Sequence, residues 1–180
     1  MAARKNQGGQ STGSRSLSFD DRDYRRALGQ FATGVTVVTA RMPDGRKLGV
    51  TVNSFASVSL EPPLILWSLS LATPSFADFH RATHFAVNVL GAHQHDLSRR
   101  FSTSMKDRFS GVDYVEGPHS LPLLKGTIAH FICRNLRQHD GGDHLIFIGQ
   151  VEEYKYSEGE PLVFHSGRYH ITTQHPDLME

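Results

Sequence analysis

The sequence predicts a mainly β protein, an antiparallel barrel carrying a few short helices. Three observations lead there. Six or seven segments rich in Val, Ile, Thr and Phe lie between turn signals at short intervals. The helical patterns between them are short and never fall into regular βαβ alternation. Two long segments, Gly126 to Gln138 and His144 to Tyr156, are joined by Asp140-Gly141-Gly142-Asp143, a glycine loop of hairpin type.

The elements follow in chain order. Phe19 to Gln30 reads as an amphipathic helix with Asp20 or Ser18 as cap, acids in its first turn and Gly29 near its end. Thr36 to Arg41 (TVVTAR) is a β-branched strand, followed by a turn at Met42-Pro43-Asp44-Gly45. Leu48 to Leu60 reads as one alternating strand. Val50, Val52, Ala56, Val58 and Leu60 fall on one face, and Thr51, Asn53, Ser57 and Ser59 on the other. Pro62-Pro63 ends it, and Leu64 to Ser70 is the next strand. Thr73 is placed to cap a helix that has Pro74 at its first position and runs to about His80. His84 to Leu90 is a strand, Gln94 to Phe101 a helix and Tyr114 to Glu116 a short strand before the Gly117-Pro118 turn. Leu162 to His165 is the last strand, closed by Gly167.

Composition narrows the function. At 180 residues the chain is one domain of ordinary size, able to bury roughly 70% of its unfolded surface. A net charge of +1, with 21% charged residues and no dense Lys/Arg stripe past the first residues, argues against a nucleic-acid partner. No run approaches the ~18 apolar residues of a membrane span. The single cysteine, Cys133, excludes an internal disulfide framework, reads as a buried strand residue, and points to the cytoplasm. Residues 1–18, basic and rich in Gly, Ser and Gln with no apolar stretch, read as a disordered leader and not a secretory signal. The folded domain is placed at 19–172, with a tail at 173–180.

No phosphate-cradling P-loop occurs, and no G-x-G-x-x-G follows a strand. His93 and His95 are two apart and face different ways, so no metal ligand set is expected. Two places stand out. The polar face of the Gly49 to Ser70 stretch carries small hydroxyls and an amide but no charge, which suits a neutral heteroaromatic ligand as well as it suits a solvated sheet surface. Ser68, Ser70, Thr73 and Ser75 follow it, and hydroxyls at a helix start would suit a phosphate, or Thr73 simply caps its helix. His144, at the mouth of the glycine turn, is either ligand-facing or an exposed hairpin residue.

Taken together these stretches resemble a known family. The run Ala27 to Thr39 (ALGQFATGVTVVT), then TVNSFASVSLEPPLIL, HFAVNVL, LSRRF, GGDH and GRY are similar, in order and spacing, to the short-chain flavin reductases. These are the reductase components of two-component flavin-dependent monooxygenases. The resemblance covers about Tyr24 to Tyr169. It implies a flavin-binding split barrel, a homodimer, NADH or NADPH as hydride donor, FMN or FAD as acceptor, and a separate monooxygenase that receives the reduced flavin. It also implies that Thr51, Asn53 and Ser54 hydrogen-bond the flavin ring edge or its ribityl chain, with Ser57, Val58 and Ser59 along the same strand. Ser68, Ser70, Thr73 and Ser75 would surround the phosphate, with Asn88 and Arg100 nearby. His144 would orient the nicotinamide, with Tyr169 on the same side, and no side chain would act as a nucleophile. Two departures are visible: Leu71 and Pro74 stand where relatives often place a basic residue, and Trp67 is bulky enough to reshape a pocket floor. The alternatives are a split-barrel flavoprotein that keeps its flavin and reduces another acceptor, or a non-catalytic flavin carrier or sensor.

Overall fold

The computed structural model describes residues 20–178. The leader 1–18, the alternative cap Ser18, Phe19 and the last two tail residues lie outside the described residues. The elements are α1 (Asp21–Leu28), β1 (Thr33–Gly34), β2 (Thr36–Arg41), β3 (Lys47–Val52), β4 (Ala56–Leu60), β5 (Pro63–Ser70), α2 (Phe76–Arg81), β6 (His84–Val89), α3 (His95–Ser102), β7 (Tyr114–Glu116), β8 (Pro122–Leu124), β9 (Ala129–Gly141), β10 (His144–Tyr156), β11 (Val163–His165) and β12 (Arg168–His170). None of the helices is long and apolar enough to cross a membrane.

A seven-stranded antiparallel sheet in the order β3-β2-β6-β9-β10-β5-β4 forms the body. Its two edges, β3 and β4, are consecutive in the chain and joined only by Asn53, Ser54 and Phe55. From Val52 to Ala56 is four Cα steps, about 15 Å at full extension. The sheet therefore has to curl until its edges nearly meet, and β3 comes to lie against β5. The edges are not laddered to one another, so the barrel stays split.

Here the single strand expected over Leu48 to Leu60 is corrected. It is two strands on opposite edges, and β4 is not buried on one face: Val58 is 46% exposed and Leu60 94%. Among the described residues, β4 is an outer edge that pairs with β5 alone.

Inside the curl, Trp67 is fully buried, stacked on Phe147 at 4.3 Å and met edge-on by Phe79 and Phe85. Ile65, Trp67 and Leu69 point inward from β5 and the alternate positions point away, as the two-residue period requires. Trp67 is thus core and no part of a pocket floor. A second cluster, built on Val35, Val37, Leu90, Phe101 and Leu162, packs the other face of β2 against α3 and the C-terminal segment. Because β2 feeds both clusters, its first five residues are all buried.

Local chemistry sets the ends. Asp20 caps α1, its carboxylate accepting from the N–H groups of Arg22 (2.8 Å) and Asp23 (3.0 Å). The β9–β10 hairpin turns on Gly142 and Asp143, with φ of +76° at Gly142 and no positive φ at Asp143, the type II′ pattern that favours glycine at the first position. The helix expected from Thr73 starts later. Two successive turns, Thr73 N–H to Ser70 carbonyl (3.0 Å) and Phe76 N–H to Thr73 carbonyl (2.9 Å), precede α2, and Ser75 occupies its N-cap position without a side-chain cap bond. The Phe76 N–H is thereby used within the protein. β1, β8 and β12 were not anticipated; they are two or three residues long, too short for a periodic signal, and form where tertiary neighbours pair them.

Cys133 is fully buried on β9, and burial, helped by the negative charge of Glu152, pushes its thiol up to about 12. A raised acid pKa means the native state keeps a proton that the unfolded chain loses. The contribution is therefore intact below the unfolded thiol value near 8.5 and is lost as pH rises toward 12, at up to about 1.4 kcal/mol per pH unit. Urea titrations across that window should show the decline, and Cys133→Ala should flatten its slope.

Candidate active site

The gap between the sheet edges is where the polar residues converge. The Asn53–Phe55 link is stapled to β5 by Ser54, whose hydroxyl accepts from the Ser68 N–H (3.0 Å) and donates to the Ser68 carbonyl (3.2 Å). Thr51, at the end of β3, donates to the Ser98 carbonyl of α3 (2.7 Å). These two hydroxyls hold three elements around a cavity of about 340 Å³. On its sheet side stand Asn53, Ser68, Ser70 and Thr73. On the other side are Phe101 and Ser102 at the end of α3, with Ser104 and Arg108 in the segment that follows it. The β10–β5 register sets His144 directly opposite Ser70, at the cavity's end.

Among the described residues, no carboxylate lines this cavity. Its positive charge comes from Arg108, which donates to the Gly49 carbonyl (2.7 Å) and the Thr103 carbonyl (2.9 Å). Partial burial lowers the Arg108 pKa, yet a guanidinium stays charged at neutral pH. Asp143 accepts from Nδ1 of His144 at 2.7 Å, and that bond holds the Asp143 carboxyl below its usual range. With Nδ1 carrying the proton, a neutral His144 keeps Nε2 as a free acceptor.

Of the residues singled out from sequence, Thr51, Asn53, Ser54, Ser68, Ser70, Thr73 and His144 meet here. The others do not line the cavity. Ser57, Val58 and Ser59 are on the β4 edge. Ser75 lines an adjoining cleft of about 360 Å³ that shares Pro74 and Arg108. Asn88 is fully buried, donating to the Val37 carbonyl and Thr39 hydroxyl and accepting from the Leu124 N–H, which makes it a strut between strands. Arg100 donates to the carbonyls of Arg108 and Ser110 and so shapes the loop that carries Arg108. Tyr169 stands behind α3, its hydroxyl 2.8 Å from that of Ser98. Arg108 and Ser104 were missed. Their segment has no period and no motif, and the only signal was a basic residue in a polar loop after LSRRF.

A family model described as "Flavin reductase like domain" matches residues 28–173. The chain belongs to the flavin reductase-like family. It is 46% identical over 150 residues to FMN reductase (NADH) SmoA of Agrobacterium fabrum, covering 83% of this chain and 85% of that one. It is 40% identical over 153 residues to the flavin-dependent monooxygenase reductase subunit HsaB of Rhodococcus jostii, covering 84% and 78%. Among solved structures it superposes with a TM-score of 0.80, at 39% identity, on the Streptomyces globisporus NADH:FAD oxidoreductase SgcE6, a complex with NAD and FAD fragments. That match covers 88% of this chain and 95% of that one.

The residues of this flavin reductase-like chain fit a flavin. Neutral hydroxyl and amide groups suit an uncharged heteroaromatic ring and a polyhydroxyl chain, and one guanidinium suits a phosphate. In the adjoining cleft the Ser75 hydroxyl is buried without a hydrogen-bond partner, a group that a bound acceptor or donor would satisfy. Arg108 lines the same two clefts as Pro74.

Gly49 is what lets α3 approach β3. A Cβ there would stand 2.5 Å from Cδ1 of the buried Phe101 ring, and closer still to Cε1. Gly49→Ala should cost about 1–3 kcal/mol by overpacking, read as a lower denaturation midpoint. Gly34→Ala, where a Cβ meets nothing within 4 Å, is the control expected to leave it unchanged.

Proposed function

We propose that this protein is an NAD(P)H:flavin oxidoreductase that passes hydride to FMN or FAD and supplies the reduced flavin to a separate monooxygenase. The observation that carries the reading is the cavity between β3 and β5, without a carboxylate among the described residues that line it, with hydroxyl and amide groups on one wall, Arg108 on the other and His144 at its end. When bound, the flavin accepts the hydride and the nicotinamide donates it; that chemistry belongs to the cofactors. The chain's part is to bind and orient. Asn53, Ser68, Ser70 and Thr73 offer donors and acceptors held by strand geometry. Such groups favour charge developing at a ring edge because they are oriented beforehand. Arg108 supplies the countercharge for phosphate. His144, with Nδ1 held by Asp143, presents an acceptor at Nε2 suited to the N–H groups of a carboxamide.

The active form in this reading is a cytoplasmic homodimer in which a second copy covers β4. Support comes from Val58 and Leu60, apolar and exposed on an unpaired edge strand. A covered β4 would bring Ser57, Val58 and Ser59 to a composite site.

Steady-state oxidation of NADH and NADPH, with and without added FMN or FAD, tests the activity. Turnover that saturates in free flavin is expected; flavin binding without turnover would leave only a carrier. His144→Ala should raise the nicotinamide KM about tenfold, on the order of one lost hydrogen bond, and spare flavin affinity. Weakened flavin binding with an unchanged nicotinamide KM would overturn that role. Arg108→Gln should raise the Kd for FMN about tenfold, and the deficit should shrink for riboflavin, which has no phosphate.

A further inference from the structure

Two irregularities of the backbone and the start of β6 converge far from the cavity. His119 and Ser120 both hold left-handed backbone, with φ of +56° and +54°. Two consecutive non-glycine residues there are disfavoured and persist only when surroundings impose them. The turn is locked by Leu121 N–H to Pro118 carbonyl (3.1 Å) and Gly117 N–H to Leu121 carbonyl (2.9 Å), with Leu121 anchored in the core. The second irregularity is the break in β9–β10 register between Val151 and Glu153, which leaves Glu152 as an extra residue. Such a bulge re-aims a side chain. The third element is the start of β6, where His84 faces the same point.

The result is a cluster of two imidazoles and one carboxylate whose ligand atoms all lie within 4.8 Å of one another. Nε2 of His119 is 3.3 Å from Oε2 of Glu152, and Nε2 of His84 is 3.6 Å from the same oxygen. Ligands at the usual 2.0–2.2 Å from a tetrahedral zinc ion are about 3.3–3.6 Å apart. Nδ1 of His84 lies 3.1 Å from the Thr83 hydroxyl, a contact that can hold the proton on Nδ1 and leave Nε2 as the ligand. Arg134 is the one cation paired with the cluster among the described residues. Its Nε is 3.6 Å from Oε1 of Glu152, while its guanidinium also donates to Gln150, so Oε2 is left to the histidines.

We infer that His84, His119 and Glu152 form a binding site for a zinc-class divalent ion, with water completing the coordination. The imidazole rings are stacked at 3.7 Å; binding turns the more exposed His119 so that both nitrogens aim at the ion. The ion clamps the 117–121 turn to β6 and β10. Glu152 is eight residues along β10 from His144, about 26 Å of strand, so the site is separate from the flavin cavity and does not depend on the reading of that cavity.

The test is calorimetric titration of the chelator-stripped full-length protein with Zn²⁺, with Co²⁺ visible absorption as a second readout. One equivalent should bind tightly, raise Tm and give tetrahedral cobalt bands. His119→Asn, which tolerates left-handed backbone, and Glu152→Gln should each weaken that equivalent at least tenfold without lowering the metal-free Tm. Arg134→Gln should tighten it several-fold by removing the competing cation, and flavin reductase turnover should be unaffected throughout. Absence of a tight equivalent, or its persistence in the His119→Asn/Glu152→Gln double variant, would overturn the assignment.

Discussion

The structure depends on the shortness of one connection. Asn53, Ser54 and Phe55 join the two edges of a seven-stranded sheet, and three residues cannot span a flat sheet of that width. Curling follows from that, and so does the enclosed aromatic core around Trp67 and Phe147. The two edges are not laddered to one another, so the barrel stays split. The slot it leaves is the candidate active site.

Packing and chemistry are kept apart by strand alternation. On β5 the inward positions Ile65, Trp67 and Leu69 build the core, while Ser68 and Ser70 face the slot. The cavity wall is therefore as rigid as the aromatic cluster behind it, which is what oriented neutral donors require. The opposite wall is built differently. Arg108 sits on a loop held by carbonyl contacts to Arg100 and by its own bonds to Gly49 and Thr103. Its charge is thus positioned by backbone, with no acid competing for it inside the cavity.

Legibility in the sequence followed the range of the interactions. The strands Thr36–Arg41, His84–Val89 and His144–Tyr156 were readable because each carries a run of β-branched and aromatic residues between turn signals. The Gly142 turn was readable because its backbone needs glycine. The polar face of the Gly49 to Ser70 stretch was readable as a row of small uncharged groups, and seven of its named residues and partners do line one cavity. Where reading failed, the cause was tertiary. The alternation from Leu48 to Leu60 continues across the link, so period alone could not reveal two edges. Trp67 looked available to a pocket until the register turned it inward. Asn88 and Arg100 have side chains of the right chemistry that structural bonds consume.

The sequence by itself determined the element types, the antiparallel class, the hairpin and the family motifs, since these rest on periodicity, turn stereochemistry and residue order. Only the tertiary structure decided which polar groups remain free for a ligand, because hydrogen-bond occupancy depends on neighbours distant in the chain. It alone recruited Arg108 to the cavity, and it alone gathered His84, His119 and Glu152. No spacing in the chain relates a strand start, a left-handed turn and a bulge until folding superimposes them.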